Sequence, residues 1–252
     1  MTKNLLLLSS SRVGDTGYLE HALPLIESFL LELNLIVSPK DKQNSPSTAH
    51  KKFLFIPYAG ISISFDVYQT MLKEAMKDLA IEVISIHESA DKVQAIRECD
   101  GIMTGGGNTF SLLNSLYELE LIDPIRKAVS NGTPYIGWSA GSNIAAPSIK
   151  TTNDMPIVEP PSFEALDLIP WQINPHYLDG NPLGHNGETR QQRIEEFLMV
   201  NPDKKVIGIP EGTALKWQNN QLNFIGKRDG FLFTNGCKTS FDSNSNLNRL
   251  LK

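Results

Sequence analysis

Two cysteines, Cys99 and Cys237, are all that 252 residues carry. Two thiols so far apart in sequence build no disulfide framework and offer no zinc-type spacing. They suit a reducing cytoplasm. Long apolar runs are missing as well. The opening run, Leu5–Leu8, is four residues, too short for the core of a signal peptide or for a membrane span. No later stretch approaches that length, so we expect a cytoplasmic protein without a membrane partner. Dense basic runs are also missing. Lys and Arg total 23 against 28 Asp and Glu, for a net charge of -5, which leaves no electrostatic footprint for nucleic acid. The chain has no H-E-x-x-H and no Cys/His cluster, and Asp179 between His176 and His185 is too little for a metal site. Neither G-x-x-x-x-G-K-[ST] nor G-x-G-x-x-G occurs. We expect no metal and no cofactor, and we find no internal repeat.

What is present suits a globule. Hydrophobic residues make up 40% and charged residues 20%. The length fits one large α/β domain, and we expect a single hydrolytic domain over 1–252. A surface loop rich in Lys, Ser, Asn and Pro falls at 39–52, and edge strands with a tail fall at 213–252. Short apolar runs ending in Gly, Ser, Thr or Pro predict buried strands at 5–8, 53–58, 83–86, 101–104, 135–137 and 206–209. Helix-like stretches at 18–33, 65–79, 109–116 and 123–131 alternate with them, and another runs from Arg190 to Met199. This rhythm predicts a mostly parallel sheet with helices on both faces. After Ile209, close-set runs at 214–217, 222–225 and 231–234 read as antiparallel strands at the sheet edge. The proline-rich stretch 153–188 reads as long loops near a site.

The chemistry-bearing motif is Tyr135-Ile136-Gly137-Trp138-Ser139-Ala140-Gly141, a G-x-S-x-G between a strand and a helix start. A sharp turn there lifts the Ser139 hydroxyl clear of the sheet, and small neighbours are needed because backbones pack closely. The amide of Ala140 then points to where a tetrahedral oxyanion forms. The plainer alternative is a buried capping serine in a Gly-rich turn. The strand–turn–helix context favours the nucleophile. A second turn, Thr104-Gly105-Gly106-Gly107-Asn108-Thr109, admits close approach of a ligand to the backbone. Oxyanion duty, anion binding and simple turning all stay open for it.

A serine nucleophile needs a base, usually a histidine held by a carboxylate. Of the five histidines, His21 and His50 read as surface residues, and His87 ends a strand. His176, in Ile173-Asn174-Pro175-His176-Tyr177, is the first candidate and His185 the second. For the acid, Asp154 follows the serine by fifteen residues and Glu211 lies just beyond a strand. Ligands of open α/β sheets gather outside the carboxyl ends of strands, which favours Glu211 on geometry, yet either can simply cap a turn. Arg190, by sequence alone, is a solvated helix arginine.

Five blocks in register carry a resemblance. They are Gly105–Phe110, Tyr135–Gly141, Thr151–Val158, Gln172–His176 and Gly184–Arg190, and together they resemble peptidase E, the α-aspartyl dipeptidase family. The resemblance implies a flavodoxin-like fold, similar to the class I glutamine amidotransferases, with a nucleophile elbow. It implies cofactor-free hydrolysis of dipeptides with N-terminal aspartate by a monomer or homodimer. Ser139 matches the nucleophile and His176 the base. Asp154 and Glu211 both match positions assigned the third role. From the geometry of the two turns, the amides of Gly106, Gly107 and Ala140 are the expected oxyanion hole. Arg190 and Asn108 match the substrate-binding set, with Arg190 on the aspartyl carboxylate, a pairing that suits a planar guanidinium. The 39–52 loop looks longer than the family needs, and the chain past Gly212 resembles it weakly. Two rivals stand beside this reading: a cyanophycinase-like serine hydrolase acting on aspartyl-arginine links, and a non-catalytic ligand-binding relative that kept the elbow.

Overall fold

The computed structural model describes residues 3–37, 50–181, 184 and 186–251. Most of the 39–52 loop and His185 lie outside the described residues. Eleven strands form two sheets among those residues. The strands of the first half are β1 (Leu5–Leu8), β2 (Lys51–Ile56), β3 (Ile81–Ser85), β4 (Gly101–Thr104) and β5 (Tyr135–Trp138). They lie side by side in the order β3-β2-β4-β5-β1, all parallel. Two antiparallel strands, β8 (Ala214–Gln218) and β9 (Gln221–Ile225), extend this sheet beyond β1. The second sheet runs β11-β10-β7-β6. Its strands are β6 (Gln172–Pro175), β7 (Val206–Ile209), β10 (Gly230–Thr234) and β11 (Cys237–Phe241).

The four leucines of β1 show how the layers form. Side chains alternate across a strand, so Leu5 and Leu7 pack into one apolar cluster while Leu6 and Leu8 pack into another. The first cluster takes Leu112 and Leu116 of α4 (Thr109–Glu118) with Ile125 and Val129 of α5 (Ile122–Ser130). The second takes Ile26 and Phe29 of α1 (Leu23–Glu32) with Leu72 of α2 (Phe65–Met76). All four leucines are buried, which is why this run is uniformly apolar rather than alternating. The expected α/β architecture, a mostly parallel sheet covered on both faces, is what the chain adopts.

Three expectations are corrected. Val206–Ile209 is not a strand of the parallel sheet. It sits between β6 and β10 in the second sheet, where Ile207 and Ile209 still reach the main core but Val206 packs with Ile194 and Leu198 of α7 (Arg190–Val200). The run at 231–234 likewise pairs with β7 and β11 and not with the main sheet's edge. The 153–188 stretch is not loop throughout, since Gln172–Pro175 is β6, paired in parallel with β7. A further helix, α3 (Lys92–Glu98), had too little apolar periodicity to be read. It buries only Ile96 and starts on the Asp91 cap. No helix among the described residues is long and apolar enough to cross a membrane.

Strand ends now converge. The carboxyl ends of β1, β4, β5, β6 and β7 lead directly into Ser9, Gly105, Ser139, His176 and Pro210-Glu211.

Candidate active site

Ser139 follows β5 with φ 54° and ψ -115°, a backbone position that a side chain rarely takes. Close packing forces the turn. A Cβ on Gly137 would stand 2.3 Å from Gly141 O, and one on Gly141 would stand 2.1 Å from Thr104 O. Only glycine fits at either flank, which is the physical content of the G-x-S-x-G spacing. The short helix α6 (Ala140–Asn143) is pinned from several sides. Tyr135 Oη donates to Gly141 O at 2.6 Å, Ser142 Oγ to Leu8 O at 2.6 Å, and Asn143 Nδ2 to Ile173 O at 2.8 Å.

His176 also has a positive φ, 54°. Its N–H donates to Ser9 Oγ at 2.9 Å, and Ser9 Oγ donates to Ile209 O at 2.8 Å. The buried Ser9 thus ties the end of β6 to the end of β7. So held, the ring places Nε2 2.9 Å from Ser139 Oγ and Nδ1 2.8 Å from Glu211 Oε1. An ionised carboxylate only accepts, so the proton sits on Nδ1 and leaves Nε2 to accept from the serine. Gly212 N donates to Ser10 Oγ at 3.2 Å and fixes the loop that carries Glu211.

Asp154 is elsewhere. Its Oδ2 accepts from Thr109 N at 2.7 Å, Thr109 Oγ1 at 2.5 Å and Thr152 Oγ1 at 3.1 Å, so it faces the start of α4 and not the imidazole. None of the other described histidines bonds Ser139 Oγ. His87 bonds Ser85 and Asp66, and His50 is exposed. His21, expected at the surface, is half-buried, and burial lowers its pKa against an opposing pull from Glu211.

The 105–107 turn lies against the elbow. A Cβ on Gly106 would come within 2.9 Å of Ser139 Cβ, and one on Gly107 (φ 136°) within 2.1 Å of Ala59 O. Tyr68 Oη donates to Gly106 O at 2.9 Å and fixes that peptide plane. The N–H groups of Gly106, Gly107 and Ala140 find no acceptor among the described residues. Asn108 has spent its amide. Its Oδ1 accepts from Ser111 N at 3.0 Å, capping α4, and its Nδ2 donates to Met155 O at 2.9 Å.

These groups border a cavity of about 220 Å³ whose walls include Ser139, His176, Asp154 and Arg190 but not Asn108. Arg190 opens α7 behind a Thr189 capping box. Its Nη1 is buried and makes no hydrogen bond to the described residues. Burial pushes its pKa down, Arg193 adds to that, and Glu211 and Asp154 oppose it. A buried, unpaired guanidinium nitrogen is costly and rare.

Ser9, Ser10, Thr109 and Thr152 were missed in the sequence. The one available signal was the polar run that follows the buried leucines of β1. Among the described residues, Asp66, His87 and Glu88 are grouped closely enough to chelate an ion. His87 and Glu88 follow β3 and Asp66 is in the first turn of α2, and β3 is three strand positions from β5.

Comparison with known proteins shows the family. Residues 5–225 match the profile of peptidase family S51. The chain is 53% identical to a peptidase E of Shewanella denitrificans over 92% of each protein. It is 49% identical to the peptidase E of Haemophilus influenzae over 91% of this chain and 99% of that one. A crystal structure of a candidate peptidase E from Listeria monocytogenes superposes with a TM-score of 0.63 at 25% identity, covering 90% of this chain and 100% of that chain. A peptidase from an acI-B1 actinobacterium shares the fold, with a TM-score of 0.62 at 20% identity over 96% and 98% of the two chains. This chain belongs to peptidase family S51, the serine peptidases that include peptidase E.

Proposed function

We propose that this serine peptidase hydrolyses dipeptides with N-terminal aspartate. Arg190 carries the reading. Its side chain lines the same small cavity as Ser139 and His176 and carries a buried Nη1 with no partner among the described residues, which suits it to take the β-carboxylate of the substrate. In the mechanism, Ser139 Oγ attacks the peptide carbonyl while His176 Nε2 takes the hydroxyl proton. Glu211 holds Nδ1–H and stabilises the imidazolium that forms. The N–H groups of Ala140, Gly106 and Gly107 donate to the oxyanion. His176 then protonates the leaving amine. The same ring then takes a proton from a water that attacks the acyl-enzyme, and passes that proton to Ser139 Oγ as the ester bond breaks.

The aligned Ser–His–Glu chain disfavours a non-catalytic relative. We place the enzyme in the cytoplasm, in keeping with two unpaired cysteines, and we expect no cofactor because these side chains supply nucleophile and base and the backbone supplies the oxyanion donors. Arg190→Met tests the substrate assignment. It should lower kcat/KM for Asp-Ala by about 10²–10³-fold, since one partner of a desolvated charge pair is lost, while barely changing Asn-Ala. An unchanged preference for Asp over Asn would overturn it.

A further inference from the structure

The 105–107 turn is supported from behind by a side chain that the mechanism does not use. Tyr68 belongs to α2 and is not among the residues that line the cavity of Ser139 and His176. Its ring is buried, with T-shaped contacts to Phe55 at 5.0 Å and to Tyr18 at 6.1 Å. Two glycines make room for it. A Cβ on Gly60 would stand 3.0 Å from Tyr68 Cδ1, and one on Gly105 would stand 2.6 Å from Tyr68 Oη. The first glycine of the turn thus accommodates Tyr68, as the second does Ser139 and the third Ala59. Burial raises the Tyr68 pKa, so Oη keeps the proton that it donates to Gly106 O at 2.9 Å. No other described group donates to that oxygen.

What matters is the other end of that peptide. In a planar trans peptide the C=O and the N–H point opposite ways. Tyr68 packs in the apolar cluster on one face of the main sheet, while Ala140 and α4 pack in the cluster on the other face. Ala140 and Thr109, the first residue of α4, line the cavity. Drawing Gly106 O toward Tyr68 therefore sends the Gly107 N–H toward the cavity side. Gly107 sits at φ 136°, where a glycine backbone meets few steric limits, so the plane needs an anchor from outside. We propose that Tyr68 is a positioning residue for catalysis, its hydroxyl holding the Gly106–Gly107 peptide so that the N–H aims at the developing oxyanion. The inference rests on the mechanism proposed above. An oxyanion donor serves the reaction by being aligned before the charge forms. It favours the transition state over the bound substrate, so its misalignment is read in kcat and not in KM.

The test uses two replacements of Tyr68 in the full chain, with Asp-Ala as substrate. Tyr68→Phe keeps the ring and removes the donor. Its kcat should fall by about 10- to 100-fold, less than the ~10²–10³-fold cost of deleting an oxyanion donor outright, with KM nearly unchanged. Its Tm should drop by only about 2–4 °C, the worth of one hydrogen bond in a chain of this size. Replacing Tyr68 by p-aminophenylalanine restores an uncharged donor at the same place and should recover most of the lost kcat. A ring that merely fills the core predicts wild-type kcat for both variants, and that result overturns the proposal. A loss carried by KM with kcat intact overturns it too, as does a p-aminophenylalanine enzyme no faster than Tyr68→Phe. A Tyr68→Phe chain that does not fold also overturns it, since the hydroxyl would then serve the fold. Wild-type enzyme that leaves Asp-Ala uncut removes the dipeptidase reading. Wild-type hydrolysis of Asp-Ala with an unimpaired Tyr68→Phe removes this inference alone.

Discussion

Ser139 and His176 both sit at φ 54°, and each such position costs about 1–3 kcal/mol. The bonds around them hold that strain: Ser9 beneath the histidine, and Ser142 and Tyr135 beneath the elbow. Glu211 works at the surface end of this chain of contacts, with its side chain 48% exposed. An exposed ion pair adds little to stability, so its value lies in orienting the ring. Glu211→Gln should leave thermal stability nearly unchanged while kcat falls by about 10²–10⁴-fold, as expected when the imidazole loses its tautomer and its counter-charge. Paired denaturation and steady-state kinetics check this, and a stable variant with full kcat would remove Glu211 from the chemistry. Ser139 and His176 were legible in the sequence because the elbow has a fixed spacing and an asymmetric context. The choice between Asp154 and Glu211 was not. Both are loop acids, and which one reaches Nδ1 depends on the pairing of β6 with β7, a contact between segments far apart in the chain. Arg190 reads as a solvated helix residue until the cavity is seen to bury its Nη1.

At the scale of elements, the site is a meeting of strand ends, and the glycines between them set the distances. Gly141→Ala is the sharpest probe. Its Cβ would press within 2.1 Å of Thr104 O, a backbone atom that cannot give way without moving β4. We expect a loss of stability of about 1–3 kcal/mol, in line with overpacking, together with loss of activity as the 105–107 turn shifts. Thermal unfolding and kinetics on the same preparation test it, and an unperturbed variant would show that the elbow has room. A strand whose residues are all apolar, such as β1, was readable from composition. β6 was hidden because Gln172, Asn174 and Pro175 break its apolar pattern, their polar groups being spent on Ser148 and on Thr151 and Asn153 of the neighbouring loop. β11 was hidden for the opposite reason, since only its Phe241 is buried.

Over the whole molecule, the final forty residues are not an appendage. β8 pairs with β1 along its full length, β1 pairs with β5, and β5 delivers Ser139. β10 and β11 complete the sheet that delivers His176 and Glu211. We therefore propose that the chain unfolds as one domain. Far-ultraviolet circular dichroism and the fluorescence of its three tryptophans should trace one coincident transition, and a chain ending at Gly212 should not fold. Two separated transitions would mean that the second sheet folds on its own. This dependence was only half legible, because 213–252 reads as edge strands without showing that two of them serve the sheet behind His176. The account as a whole comes to rest on one assay, hydrolysis of Asp-Ala, Glu-Ala and Asn-Ala by the wild type and by Ser139→Ala. It predicts cleavage of Asp-Ala at least about 10²-fold better than of Asn-Ala, with the wild-type rate falling on the order of 10⁶-fold in Ser139→Ala. Equal cleavage of Asp-Ala and Asn-Ala, or Asp-Ala hydrolysis that survives the loss of Ser139, would contradict it.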